Sequence, residues 1–183
     1  MFHRLFGRES RANQAAADGL YAQIVAAARQ PGFYSDWCVP DTPLGRFEII
    51  SLHMLLFQHR LRGEPDPSRE IAQILIDDFF TEVDHSLREL GIGDTSVPKR
   101  MKKLARMFYG RTVSYSDALD AGDHAAMSAA LHRNVCPGVA EWPQAVCLAD
   151  YAFEAREALR GQSSADIVAG SVKFPSAARV AAQ

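Results

Sequence analysis

At 183 residues, with 48% hydrophobic and 23% charged residues, the chain has the make-up of one globular domain and lies outside the composition of disordered chains. Twenty basic against 22 acidic residues leave a formal charge of −2, which excludes the overall basicity of a nucleic-acid-binding domain and leaves only a local basic patch to look for. Cys38, Cys136 and Cys147 are odd in number and widely spaced, so a reducing compartment is expected rather than a disulfide framework. The start, MFHRLFGRES, has no apolar h-region, so it does not read as a secretory signal and the mature protein is expected to begin near Met1.

Spacings of three and four recur along the chain while period-two alternation is never sustained, which predicts an all-α, single-domain bundle of about six to seven helices. After a basic N-terminal segment, residues 1–11, a first helix is expected over residues 12–29 with Leu20, Ile24, Ala27 and Ala28 facing inward. Gln30-Pro31-Gly32 stops it, and the loop 32–45 that follows carries Phe33, Tyr34 and Trp37, so it should pack on the domain. The second helix, residues 46–62, is apolar around most of its circumference. Eight of the eleven residues 47–57 are apolar, short of the ~20 a membrane span needs, so the pattern is that of a buried helix.

Asp66 as a cap and Pro67 as the first helical residue open a third helix, whose stripe Ile71, Ile74, Leu75, Phe79, Val83, Leu87, Leu90 runs to Gly91. Asp94, Thr95 and Ser96 offer caps for a fourth, which continues through Met101, Leu104, Ala105 and Phe108 and frays beyond Tyr109-Gly110-Arg111. A short segment at 116–119 and helices at 123–134 and 142–160 complete a helical domain of residues 12–160. The last of these is opened by Pro143 and striped by Val146, Ala149 and Phe153. The tail, residues 161–183, is rich in small residues and reads as mostly irregular, lying across the surface.

No catalytic constellation assembles. Glu82-Val83-Asp84-His85 supplies one Glu-x-x-His pair, and helical di-iron sites need two, so a solvated helix face is the plainer reading and no metal is expected. His132 and Cys136 stand four apart without a second paired ligand set. There is no Gly-x-Ser-x-Gly elbow or phosphate loop, Gly91-Ile92-Gly93 reads as a helix stop, and no cofactor is expected. His53 and His59 lie in or near the most buried helix, where a hydrogen-bonded structural histidine is the ordinary case.

Charge placement is more informative. Residues 97–111 hold six basic residues, Lys99, Arg100, Lys102, Lys103, Arg106 and Arg111, and no acidic one, while residues 64–94 hold nine acidic against two basic. Two uses of this asymmetry stand open: attraction between neighbouring helices, or contact with an anionic membrane surface or RNA.

The run Trp37-Cys38-Val39-Pro40-Asp41-Thr42-Pro43-Leu44-Gly45-Arg46-Phe47-Glu48, then Ser51-Leu52-His53-Met54-Leu55-Leu56 and Arg60-Leu61-Arg62, is followed in order by Leu75-Ile76-Asp77-Asp78-Phe79-Phe80 and by the helix end at Asp84-His85-Ser86-Leu87-Arg88-Glu89-Leu90-Gly91. Lys99-Arg100-Met101-Lys102 and Phe108-Tyr109-Gly110-Arg111 close the series. In these motifs, over residues 34–134, the chain resembles the ubiquinol–cytochrome c chaperone family. The resemblance implies an all-helical, non-catalytic assembly factor for respiratory complex III that holds newly made cytochrome b, as mitochondrial members do close to the ribosome, in some cases with a small partner subunit. Lacking an Arg- and Ser-rich targeting extension, the sequence resembles a bacterial, cytoplasmic-side member, peripherally associated with the inner membrane.

A chaperone for a nascent membrane protein needs an apolar groove with an acidic rim, because its client offers apolar helices with positively charged flanks. Tyr34, Trp37, Phe79 and Phe80 are the expected contact surface, with Asp77, Asp78 and Asp84 on the rim. Lys99, Arg100, Lys102, Lys103 and Arg106 are expected to face a membrane or RNA. A peripheral membrane- or RNA-binding adaptor unrelated to complex III is the rival reading.

Overall fold

The computed structural model describes residues 2–177, the side chains of residues 2–8 excepted. Its elements are α1 (Phe2–Ala28), α2 (Pro31–Ser35), α3 (Pro43–Leu61), α4 (Ser68–Glu89), α5 (Val97–Ala121), α6 (His124–Val135), α7 (Ala145–Arg160) and α8 (Ser164–Val168), with no strand among the described residues. The all-α, one-domain expectation holds. No helix is long and apolar enough to cross a membrane among the described residues.

α3 is the centre. It packs against α1, α4, α5, α6 and α7, and its residues from Phe47 to Phe57 are buried almost without interruption. It begins at Pro43, three residues before the expected start, because Thr42 caps it: the hydroxyl accepts from the Gly45 N–H at 3.1 Å. A Cβ on Gly45 would lie 1.9 Å from the Pro40 carbonyl oxygen, so this approach of loop to helix admits no side chain.

A helix surrounded on all sides must also bury its polar residues, and α3 buries three, Glu48, Ser51 and His53. Glu48 Oε1 accepts from Arg111 Nη2 of α5 at 2.6 Å. Burial pushes the Glu48 carboxyl up to about 7, and Arg111 opposes that shift. The His53 ring bonds the Ile49 carbonyl and the Tyr151 hydroxyl of α7, each at 2.8 Å, and burial holds its imidazole down at about 4. Phe33 and Phe174 pack on the same ring at 5.5 and 4.9 Å between centroids.

Five expectations need correction. α1 begins at Phe2 rather than at residue 12; the chain ahead of residue 12 contains no proline, and its one glycine, Gly7, does not stop a helix. Asp66 does not cap α4 but lies 3.9 Å from Arg69, and Pro67 precedes the helix. α5 does not fray at Gly110: it runs unbroken to Ala121 and absorbs the segment at 116–119. Its buried stripe, Phe108, Arg111, Tyr115, Ala118, Leu119, has helical period only when the arginine is counted as interior. α7 starts at Ala145 and turns Val146 outward, burying Ala145, Leu148, Ala149, Ala152, Phe153 and Leu159.

The fifth correction concerns the tail. Residues 164–168 form α8, and residues 170–177 are fixed by three glutamine side chains that each bond backbone groups on both sides of the amide. Gln23 donates to the Gly170 carbonyl and accepts from the Val172 N–H, Gln162 does both with Lys173, and Gln30 donates to the Pro175 carbonyl and accepts from the Ala177 N–H. A Cβ on Gly32 would stand 1.8 Å from the Ala177 carbonyl oxygen, so the tail lies directly on α2. The end of the expected tail, residues 178–183, is outside the described residues.

Arg111→Met leaves Glu48 buried without a partner, and the expected cost is about 3–5 kcal/mol in the urea unfolding free energy. A second outcome follows from the raised Glu48 carboxyl. Between its ordinary value of 4.5 and about 7, the folded state keeps a proton that the unfolded state has released, so folding weakens as pH rises through that window. Glu48→Gln lacks this titration. The unfolding free energy of the natural protein, measured relative to Glu48→Gln, is expected to fall from pH 4.5 to pH 7; a rise would mean that the pairing with Arg111 outweighs burial.

Candidate functional site

The residues that make the sequence recognisable divide between the interior and the surface. Gly45, Phe47, His53, Phe108 and Arg111 are buried. Phe47 stacks on Phe79 at 5.8 Å, and Arg60 fixes the C-terminal elements by donating to the Leu159 and Gln162 carbonyls and the Ser164 hydroxyl. Asp41 pairs with Arg46 at 2.6 Å, Thr42 caps α3, and Arg62 pairs with Asp120 at 2.8 Å. Tyr109, 54% exposed, and Gly110, with open space around it, are the motif residues turned outward on α5.

Two of the four expected contact aromatics belong to the core. Trp37 is 5% exposed and packs edge-on against Phe33 and Tyr151, and its carbonyl accepts from the Trp142 Nε1–H at 2.9 Å. Phe79 is 1% exposed, held between Phe47 and Phe108. Both are anchors, because a large ring with access to an interior gains more from burial there than on a surface. Tyr34 is half-buried under the Arg46 guanidinium, and its hydroxyl donates to the Ala28 carbonyl. Phe80 is half-buried and reaches the surface, stacked on Tyr109 at 6.3 Å. The expected groove between the third helix and the aromatic loop is therefore not formed by these side chains.

An acidic groove exists elsewhere. Between α1 and α4 lies a hollow of about 320 Å³ whose walls include Asp18 and Tyr21 from α1 and Asp78, Thr81 and Glu82 from α4. Burial and then Glu82 raise the Tyr21 phenol to about 12, so the groove carries three carboxylates and no ionised phenol to repel them. Gln14 reaches across it from α1 to Asp78 at 3.1 Å. Asp77 and Asp84, two turns apart on α4, are engaged within that helix by Gln73 and Arg88. The α1 half of this groove was hidden in the sequence because Asp18 and Tyr21 belong to no charge run.

On the other flank of α4 stands α5. Lys99, Arg100, Lys102, Lys103 and Arg106 are all exposed, and none of the five lies within 4.0 Å of a carboxylate among the described residues. Acidic residues at the far end of α4 find partners close by: Arg88 takes Asp84, together with Asp94 beyond the helix, and His85 takes Glu89 at 3.2 Å. Attraction between the two helices does not neutralise the cations. Arg111, counted with them in the sequence, is buried against Glu48 and is not part of this face. Further along α5, Tyr109 and Val113, 63% exposed, extend the cationic face with apolar surface. From Phe80 to Ser96 no residue is fully buried, although Phe80 and Val83 still pack against the core.

The structure is thus a helical bundle with a packed core and two oppositely charged outer flanks. Residues 35–174 match the family described as Ubiquinol-cytochrome C chaperone, and the chain belongs to that family of non-enzymatic assembly factors. The crystal structure of the Cbp3 homolog from Brucella abortus has the same fold, with a TM-score of 0.88, 51% sequence identity, and alignment over 97% of this chain and 98% of that one. No curated protein sequence matches the chain. The protein is thus a chaperone of the kind that serves ubiquinol–cytochrome c reductase assembly.

Because none of the five cations pairs with a carboxylate among the described residues, replacing all five by Gln is expected to move the unfolding free energy by less than about 1 kcal/mol. Chemical denaturation of that variant checks it.

Proposed function

We propose that the protein holds newly made cytochrome b at the cytoplasmic face of the inner membrane until complex III is assembled, using the two flanks of α4. The observation that carries this is the juxtaposition of the acidic α1–α4 groove with the unpaired cationic face of α5 on a chain of this family. Membrane helices keep Lys and Arg on their cytoplasmic flanks, next to anionic headgroups. A partner for such a flank needs carboxylates for the peptide and cations for the lipid, side by side. Asp18, Asp78 and Glu82 supply the first, with Asp77 and Asp84 nearby. Lys99, Arg100, Lys102, Lys103 and Arg106 supply the second. Phe80, Tyr109 and Val113 offer apolar contact beside the cationic face.

The steps are binding steps only. Charge attraction brings the client's flank into the groove, the aromatic strip covers adjoining apolar surface, and release follows when other subunits of the complex compete for the same segment. The cations hold the chaperone at the bilayer through the headgroups, an attraction that weakens as salt rises.

Two outcomes test this. In vesicle sedimentation, the variant with all five α5 cations changed to Gln is expected to lose most of its binding to phosphatidylglycerol vesicles, and unchanged sedimentation would remove the membrane role. In co-purification from mildly solubilised native membranes, cytochrome b is expected to be enriched over other abundant membrane proteins, and Asp18→Asn/Asp78→Asn/Glu82→Gln is expected to lower that enrichment severalfold. Equal recovery of cytochrome b with the triple variant would place its contact elsewhere.

A further inference from the structure

At the other end of α5 lies a second concentration of positive charge, and this one lines an open hollow. A hollow of about 450 Å³ is walled by His59, Arg60 and Arg62 at the end of α3, by Glu64 beyond it, and by Arg156 and Arg160 of α7. Four guanidinium groups around one concavity repel each other unless anions offset them. The protein supplies few. Arg60 takes Glu64 at 2.7 Å and spends its other donors on backbone and Ser164. Arg62 and His59 share one carboxylate, Asp120, each at 2.8 Å. Arg156 and Arg160 share another, Glu157, at 3.6 and 3.3 Å.

The sharing leaves donors over. Arg156 gives one terminal nitrogen to the Leu119 carbonyl at 2.8 Å, while its buried Nε has no hydrogen-bond partner. Arg62 and Arg160 each bond through a single terminal nitrogen among the described residues, and their side chains are more than half exposed at the mouth. Guanidinium forks with unspent donors, converging on a polar hollow, are suited to an anion with several acceptor oxygens.

We propose that this hollow binds a phosphate group. A phosphate carries up to two charges and enough oxygens for two or three forks at once, whereas a carboxylate fills one. The phosphate can come as a free phosphate compound or as the headgroup of an anionic lipid. Asp120, which marks the hollow's edge, stands roughly 20 Å along α5 from Arg106, so the site is separate from the cationic face described above.

Thermal unfolding of the full chain tests this, in inorganic phosphate and in sodium chloride of equal ionic strength, for the natural protein and for Arg62→Gln/Arg160→Gln. Phosphate is expected to raise the melting temperature beyond the chloride control, with affinity on the order of tenfold weaker in the double variant. Arg156→Gln, assayed alongside, is expected to weaken the same response. Vesicles of phosphatidylglycerol, offered to a chain whose five α5 cations are Gln, then separate the sources. Residual binding that requires Arg62 and Arg160 assigns a lipid headgroup; no residual binding, with phosphate stabilisation intact, assigns a free phosphate compound. Equal shifts in phosphate and chloride, or a phosphate shift unaltered by the double variant, overturn the proposal.

Discussion

The Glu48–Arg111 pair joins α3 to α5 at 2.6 Å with both side chains out of water. A buried ion pair offsets its desolvation only where its geometry is fixed on every side. That requirement orders the molecule. α3 must be enclosed, so α1, α4, α5, α6 and α7 surround it; α5 must continue past Gly110 to deliver Arg111; and the loop before α3 must lie tight against Gly45. One turn and a half further along α3, His53 makes the matching polar tie to α7 through Tyr151. The two ties fix α3 to helices on different sides, and the apolar packing fills in between.

This division between interior and surface also sorts the residues that define the family. Glu48 and Arg111 come from motifs far apart in sequence and are recognisable because they meet in the core. Gly45, Phe47, His53 and Arg60 likewise maintain the scaffold. A chaperone's contact surface has a looser demand, charge and apolar area of the right kind in the right place. It is drawn here from Asp18, Asp78, Glu82 and the α5 cations, residues that are individually ordinary.

Much of the fold was legible in the sequence, since six of the helices carry periodic apolar stripes between proline or glycine stops. What was not legible has specific causes. A buried arginine counts as a break in a stripe and as a surface charge, so Arg111 both shortened the fourth helix and enlarged the basic face. The tail's apolar residues, Ile167, Val172 and Phe174, reach the core without a helical or alternating period, and its course is fixed by Gln23, Gln30 and Gln162, side chains with no hydrophobic signal. Trp37 and Phe79 looked like contact residues because a loop aromatic and a doubled phenylalanine fit either surface or core, and only three-dimensional packing decides. The acidic groove was half visible: its α4 wall stands in the acidic run, its α1 wall in an unremarked stretch.

The division of labour between scaffold and charged flanks is tested most directly in a strain lacking the gene, by measuring b-type haem absorbance of assembled complex III in its membranes. The strain is complemented either with the natural chain or with Asp18→Asn/Asp78→Asn/Glu82→Gln, at matched amounts of folded protein. Restoration by the natural chain and a deep deficit with the groove variant, whose scaffold is untouched, are predicted. Full complex III with the groove variant would contradict the assignment of client binding to the flanks of α4.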